Sequence, residues 1–296
     1  MNSIDIESKK FLGQPKNFVS IFNALLFDGQ PVLKPEYLKD ENSELVMNVS
    51  SKHVDIIKRY EDGTYLDLFV IESQSYVDQC MVARVMEYEC VARMRYIRQN
   101  FKKHVPMHTR LPMILTVVLY VGESKWNAAK RLSELEIIHP GFEDMFNEFK
   151  LNLIELNTNH KYNTGEKATQ DFFDLLRMIY RKQILKENLD REFNRDALYF
   201  AYVVTKNKEL LNIYQESEKG DVKVCRALDE MFEESTNKGI QMGIKQGIEK
   251  GVERGVKNTQ IKIAIKMLVR NNQTLEEISE IVGLDLDALK ELKKSI

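Results

Sequence analysis

The chain has 296 residues, of which 43% are hydrophobic and 30% charged, with a formal charge of −2. This length and composition exclude a disordered chain, and the near-neutral charge means that any nucleic-acid site must be a local patch. The three cysteines lack a C-x-x-C spacing, so a disulfide framework or a structural zinc site is not expected. Because the chain opens on polar residues and has no stretch near the roughly 20 apolar residues of a membrane span, a cytoplasmic protein without membrane contacts is expected.

The first predicted element is a helix over residues 15–27, PKNFVSIFNALLF. Its apolar residues recur at the spacing of one helical face, and Asn17 is available as an N-cap. Residues 28–43 are polar with two prolines and are interpreted as a loop, and residues 44–51 as a short strand.

A β-hairpin is predicted next. Residues 53–60 and 64–74 are rich in β-branched and aromatic side chains, and Asp62-Gly63 between them is a turn signal. A two-residue turn pairs Glu61 with Thr64.

A long helix and two further strands follow the hairpin. The sequence from Asp78 onward has a helical apolar stripe, 111–122 is an apolar run typical of a strand buried on both faces, and 149–157 is a further strand candidate. This order predicts an α/β sandwich with a mixed sheet flanked by helices.

Beyond residue 165 the pattern is helical almost throughout, which predicts an all-helical C-terminal extension. We therefore divide the chain into an α/β core over 1–165, a helical extension over 166–236, and a glycine-repeat helix with a terminal helical hairpin over 237–296.

The glycine repeat places a glycine, followed each time by isoleucine or valine, at every fourth position: Gly239, Gly243, Gly247, Gly251 and Gly255. Each interior glycine costs a helix about 1 kcal/mol relative to alanine. Two interpretations remain open: a helix-pairing surface, which would make a homodimer through the C-terminal helices, or a solvated tether.

The terminal hairpin is predicted from a capping box, Thr274 with Glu277, then a turn at Gly283 and a cap at Asp285. It resembles the front of a helix-turn-helix, but its second helix is acidic and would be repelled by phosphate. A packing or partner-docking hairpin is the preferred interpretation.

Candidate chemistry lies at the end of the second hairpin strand, in IESQS. The predicted register places Asp55 opposite Val70 and diagonal to Glu72, with Gln74 on the same face. Two such carboxylates can hold Mg²⁺ or Mn²⁺, which activates water and stabilises charge on a phosphodiester.

These residues carry a resemblance. Asp55, followed by Glu72-Ser73-Gln74 at the end of an apolar strand, resembles the Asp…Glu-x-Lys core of the PD-(D/E)XK nuclease superfamily, with glutamine in the lysine position. The segments FVSIFNALLFDGQPVLKPEYL, LPMILTVVLYVGESKW and the glycine-repeat tail resemble, more narrowly, the Rpn family of recombination-promoting nucleases and transposase-like proteins, over residues 11–295.

The resemblance implies a restriction-endonuclease-like core and metal-dependent cleavage of DNA, linked to recombination or mobile elements. It implies that Asp55, Glu72 and the main-chain carbonyl of Ser73 are metal ligands and that Gln74 orients water or phosphate. Gln74 cannot supply the positive charge of a lysine, so transition-state charge would depend more on the metal and on nearby arginines. Related first helices often carry an acid near residues 17–20, where this chain has neutral Asn17 and Ser20.

Two alternatives to an active endonuclease remain. The chain could be a weak or inactive nuclease-fold protein that binds DNA or regulates a partner through its C-terminal helices, or a protein that acts only through assembly. Candidate DNA contacts form a local basic surplus after the hairpin, which could equally be a solvated helix face: Arg84, Arg93, Arg98, Lys102 and Lys103.

Overall fold

The computed structural model describes residues 3–41, 56–63, 66–182, 191–217 and 220–296. The chain divides into two compact units, Met1–Glu230 and Met231–Ile296. The helices that follow residue 166 therefore share a unit with the sheet up to residue 230. The predicted three-part division of the chain stays a prediction. No helix in the described ranges is long and apolar enough to cross a membrane.

A mixed five-stranded sheet forms the centre of the first unit, in the spatial order β1-β2-β3-β4-β5. The strands β1 to β3 are antiparallel to their neighbours, and β3, β4 and β5 are parallel. The predicted α/β fold with a mixed sheet is confirmed. The bounds of the strands are β1 Leu38–Asp40, β2 Ile56–Glu61, β3 Leu66–Gln74, β4 Ile114–Tyr120 and β5 Asn152–Glu155.

The hairpin is confirmed, but its predicted register is wrong. Glu61 pairs with Leu66, and Ile57 with Val70, so four residues rather than two separate the last pair. The Asp-Gly signal marks the turn correctly without fixing its length. Because the register differs from the prediction by two residues, an even number, each side chain of β2 and β3 stays on its predicted face.

Two helices precede the sheet, α1 (Ser3–Leu12) and α2 (Pro15–Phe27). The second matches the predicted helix, but its N-cap is Gln14 and not Asn17, because Pro15 occupies the first helical position. The helix α1 was not predicted, and the predicted loop over 28–43 contains a 3₁₀ turn at Pro35–Tyr37 and the strand β1. The predicted strand over 44–51 lies outside the described residues.

The face of the sheet next to α2 is aromatic. Phe22 of α2 packs on Phe69 of β3 with a ring-centroid distance of 4.8 Å, and Tyr60 of β2 packs on the same ring at 5.6 Å. Fully burying aromatic side chains of this size is among the largest apolar contributions to stability. The alternate residues of β3, which include Phe69 and Ile71, therefore anchor this side of the core.

The other face of the sheet is covered by α3 (Met81–Asn100). Tyr88 and Ala92 of this helix cluster with Val70 and Ile114, and Met81 and Val85 cluster around Tyr120 and Trp126. The long helix predicted after Asp78 is confirmed, and its apolar stripe is the face that contacts the sheet.

The second half of the first unit contains α4 (Lys167–Arg181), α5 (Arg195–Thr205) and α6 (Lys208–Glu216). Phe172 of α4 and Phe200 of α5 stack with Phe11 of α1, which brings the helical extension against the N-terminal helices. The expectation of an all-helical extension is wrong in one detail, because β6 (Glu192–Phe193) pairs with β7 (Val222–Lys223). Strands of two residues are too short to leave a periodic signal in sequence.

The helix α7 (Cys225–Arg270) begins in the first unit and extends through the glycine repeat, and α8 (Leu275–Val282) and α9 (Leu286–Lys294) follow. The predicted capping box at Thr274, the left-handed Gly283 and the Asp285 cap are all confirmed. Ala264 and Leu268 of α7 form a small core with Ile278, Val282 and Leu289. The terminal hairpin thus packs on the end of α7, in agreement with the preferred interpretation.

Candidate active site

The candidate site lies at the carboxyl end of β3. Val70 packs against Tyr88 and Ala92 of α3, so Glu72 and Gln74, two and four residues later, point to the same helix-covered face. Both side chains are buried, and Glu72 is only 3% exposed. The shared face predicted for Val70, Glu72 and Gln74 is observed.

The carboxylate of Glu72 is held by two donors. The Nε2 atom of Gln74 donates to Glu72 Oε1 at 3.0 Å, and Nη2 of Arg84 donates to the same oxygen at 3.1 Å. A buried carboxylate without such partners would cost several kcal/mol. The ion pair between strand and helix therefore allows a charged group at this position.

Arg84 is itself fixed by two further side chains. Its Nη1 donates to Asp78 Oδ2 at 2.5 Å, and its Nη2 donates to the Tyr88 hydroxyl at 2.7 Å. Burial alone would lower the pKa of Arg84, but the hydrogen bonds to Asp78 and Tyr88 and the charge of Glu72 outweigh it and raise that pKa. Burial, and next the charge of Glu72, also raise the pKa of Tyr88. The result is a cationic guanidinium locked between two carboxylates and a neutral phenol.

Sequence reasoning did not find Asp78 and Tyr88. The i, i+4 spacing of Arg84 and Tyr88 in the first turns of the helix after the strand is the signal that could have suggested their contact. Asp78 lies in the connection between β3 and α3, where no periodic pattern points to a partner.

The structure describes two of the three predicted metal ligands. Asp55 lies outside the described residues, whereas Glu72 and Ser73 are adjacent on β3, opposite Val118 and Leu119 of β4. Among the described residues, no group of three or more His, Cys, Asp or Glu side chains is placed to hold a metal ion. The donors that are described, a carboxylate and a main-chain carbonyl, have the hard oxygen chemistry that Mg²⁺ and Mn²⁺ prefer, so they fit such an ion.

The polar residues of α2 do not point to this site. Asn17 Nδ2 donates to the Phe11 carbonyl at 2.9 Å, and Ser20 Oγ donates to Thr169 Oγ1 of α4 at 2.8 Å. Both side chains are buried. They therefore join α2 to its neighbouring helices.

The predicted DNA-contacting residues are not gathered in one place. Arg84 belongs to the buried cluster at Glu72, and its side chain is 16% exposed. Arg98 lies 14 residues further along α3, about 21 Å away at 1.5 Å per residue. Arg98, Lys102 and Lys103 are exposed at the far end of that helix, and Arg93 is partly buried between the two ends.

A second buried carboxyl group, Glu89, lies on the face of α3 that contacts the sheet. It accepts a hydrogen bond from the backbone N–H of Thr116 at 3.0 Å. Burial raises the pKa of Glu89 above its ordinary value of 4.5, in spite of this hydrogen bond. The native state therefore holds this proton more tightly than the unfolded chain does, and stability present below pH 4.5 is lost as the pH rises through the native pKa.

We expect Glu89→Gln to remove this loss, because a glutamine can still accept from Thr116 and carries no charge. The check is the free energy of unfolding from urea titrations between pH 4.5 and pH 8. The free energy of unfolding of the variant should increase relative to that of the wild type as the pH rises. A difference that is constant with pH would contradict the buried-acid assignment.

The chain is similar to a known protein family over the segment that contains the candidate site. Residues 36–209, more than half of the chain, match the model of the family described as "Putative transposase, YhgA-like". The chain belongs to the YhgA-like transposase family. This family lies within the Rpn and PD-(D/E)XK-like group, so the family resemblance read from the sequence is confirmed. No curated protein and no solved structure matches the chain.

The matched YhgA-like segment begins just before β1 and ends in α6, and it contains Glu72, Gln74 and Arg84. Membership in this transposase family indicates a transposase-like or nuclease-related role that involves DNA. The glycine repeat and the terminal hairpin lie outside the matched residues.

Proposed function

We propose that the chain is a divalent-metal-dependent DNA endonuclease that hydrolyses phosphodiester bonds. The observation that carries the proposal is the buried Glu72 at the carboxyl end of β3, next to Gln74 on one side and a locked cation on the other. Charged groups are rarely fully buried unless they are paired, and a cluster of such groups at a strand end is a candidate for a functional site. Family membership adds independent support for chemistry on DNA.

In this proposal Asp55, Glu72 and the Ser73 carbonyl hold Mg²⁺ or Mn²⁺. When bound, such an ion supplies an activated water and offsets negative charge on the phosphodiester. Gln74 donates from its amide on the same face and positions water or a phosphate oxygen. Arg98, Lys102 and Lys103, exposed at the far end of α3, are proposed contacts for the DNA backbone.

The test of this function is nicking of supercoiled plasmid DNA by the purified chain. We expect nicking with Mg²⁺ or Mn²⁺ that stops when EDTA is added. The nicking activity should elute from a chromatography column together with the protein, because activity that elutes separately belongs to a contaminating nuclease. Purified protein that binds DNA but leaves it intact across a range of Mg²⁺ and Mn²⁺ concentrations would contradict the proposal. That outcome would favour the alternative, a catalytically inactive DNA-binding or regulatory protein.

The α7 helix supports one further part of the proposal, self-association into a homodimer. Through the glycine repeat an apolar residue follows each glycine, and each of these five side chains is more than half exposed: Ile240, Ile244, Ile248, Val252 and Val256. A Cβ atom added at any of the five glycines meets nothing within 4 Å in the described chain. Glycines spaced in this way permit close approach of another backbone.

The charges of α7 favour an antiparallel second copy as the occupant. Four acids lie in residues 229–234, whereas residues 257–270 contain four bases and no acid. Gly247, the third of the five glycines, is near the midpoint of Cys225–Arg270. An antiparallel pair centred there places the acidic end of each helix beside the basic end of the other, which is complementary.

We expect the wild-type chain to sediment as a dimer and the Ile244→Glu/Ile248→Glu variant to sediment as a monomer. The two new carboxylates would have to be buried in the proposed interface, which costs several kcal/mol. Analytical ultracentrifugation at micromolar concentration measures the mass. The matched control is Gln241→Glu/Gln246→Glu, which adds the same charge to exposed polar positions of the same segment. A monomeric wild type would contradict the dimer.

A further inference from the structure

The positive charge at the candidate site and the proposed metal ligand Glu72 lie on different elements of the fold. Glu72 and Gln74 lie on β3, and Gln74, although it hydrogen-bonds to Glu72, is neutral. The cation that contacts the same carboxylate oxygen, Arg84, is in the first turn of α3. An arginine stays protonated at every pH at which the protein is folded, so this positive charge is permanent.

The guanidinium is also held in position. Asp78 accepts from Nη1 at 2.5 Å, and the Tyr88 hydroxyl accepts from both Nη2 at 2.7 Å and Nε at 3.1 Å. Arg84 thus has partners on three sides, supplied by β3, by the connection after it and by the next turn of α3. A charge that is fixed before substrate arrives needs no reorganisation during reaction, which is the condition under which such a charge is most effective.

We propose that Arg84 is the positioning residue that supplies the fixed positive charge of this site, acting through Glu72 and in place of a charged side chain at position 74. This inference rests on the proposed endonuclease function and deepens it. Arg84 donates a hydrogen bond to the Glu72 carboxylate and offsets part of the negative charge that Glu72 and Asp78 place in the pocket, which lowers the repulsion of the phosphodiester.

One consequence separates this role from a structural one. Arg84 and a bound dication would both contact the Glu72 carboxylate, and two positive groups on one carboxylate repel each other. Removing the guanidinium therefore strengthens binding of the metal while it weakens cleavage of DNA. Loss of a merely structural ion pair would instead loosen Glu72 and weaken both.

The experiment compares Arg84→Met with the wild type in two measurements. Binding of Mn²⁺ is followed by the electron paramagnetic resonance signal of the free ion, in the absence of DNA, and cleavage is followed by plasmid nicking. We expect the dissociation constant for Mn²⁺ to fall by about threefold or more and the cleavage rate to fall by about 30-fold or more. The matched control is Arg95→Met on the same helix, which should change neither measurement by more than about twofold.

Two further variants keep the test decisive if Arg84→Met folds poorly. Arg84→Lys retains the charge but loses the planar fork that Asp78, Tyr88 and Glu72 hold, so it should bind Mn²⁺ as the wild type does and cleave DNA at a rate between those of Arg84→Met and the wild type. The double variant Arg84→Met/Gln74→Lys places a positive charge on β3 instead of α3, and its cleavage rate should recover to within about tenfold of the wild type.

The outcomes distinguish this inference from the function on which it rests. Wild-type protein without metal-dependent cleavage overturns the proposed function, and the inference falls with it. An active wild type together with an Arg84→Met variant of equal activity overturns the inference alone. A variant in which both Mn²⁺ affinity and cleavage fall, with no rescue by lysine at position 74, assigns Arg84 a structural role and also overturns it.

Discussion

Glu72→Gln should abolish metal-dependent DNA cleavage, with a fall in rate of about 10³-fold, while the protein stays folded. A glutamine has nearly the same shape and can still accept from Gln74 and Arg84, so the hydrogen-bonded arrangement of the buried site is retained. What is lost is the negative charge that a dication requires. The measurement is the single-turnover rate of plasmid nicking in Mg²⁺, with circular dichroism to confirm the fold.

The matched control for Glu72→Gln is Asp67→Asn, an acid at the other end of the same strand. Asp67 accepts from the Met113 N–H, and asparagine can do the same. This control should cleave DNA at the wild-type rate. The Asp55→Asn variant should behave as Glu72→Gln does, because the proposal gives both carboxylates the same role. Full activity in Glu72→Gln would remove Glu72 from the site.

Asp171→Ala should destabilise the protein by about 3–5 kcal/mol, the usual cost of removing one partner of a buried ion pair. Asp171 on α4 is fully buried and accepts from Arg191, from Lys167 Nζ at 2.9 Å and from the Asn194 N–H at 2.6 Å. Its loss leaves these donors with a missing partner at the junction between α4 and α5. The measurement is the free energy of unfolding in urea.

An exposed acid at the start of α5, Asp196, gives the comparison for Asp171. Asp196→Ala should change stability by no more than about 0.5–1 kcal/mol, the effect of one charge on a helix terminus. Similar changes in the two variants would show that the Asp171 cluster contributes little beyond surface electrostatics.

Much of the fold follows from local sequence patterns. The continuous apolar run Leu68–Ile71 reflects a strand buried on both faces of the sheet, and the helical stripe of α3 reflects one buried face, which is why both elements were predicted. The helix α1 was missed because its sequence is mostly polar and its buried contacts are made chiefly by Phe11 and Leu12 at its end. Its burial depends on α5, which is distant in sequence.

The candidate site was predictable only in part, for a related reason. The strand parity that puts Glu72 and Gln74 on one face is a local property and survives a two-residue error in register. The contact of Arg84 with Glu72 is not local. It depends on the rotation of α3 on the sheet, which is fixed by the packing of Met81 and Val85, and no sequence pattern encodes that angle. Arg84 was accordingly predicted as a DNA contact rather than as part of the site.

The proposed function requires the Glu72 carboxylate and the Asp55 carboxylate to hold one divalent cation. The most direct measurement is a crystal structure of the chain soaked in Mn²⁺, with the ion located by its anomalous scattering. We expect a peak within about 2.5 Å of oxygens from Glu72, Asp55 and the Ser73 carbonyl. An anomalous map without a peak there at millimolar Mn²⁺, with Asp55 turned to the other face of the sheet, would contradict the proposed function.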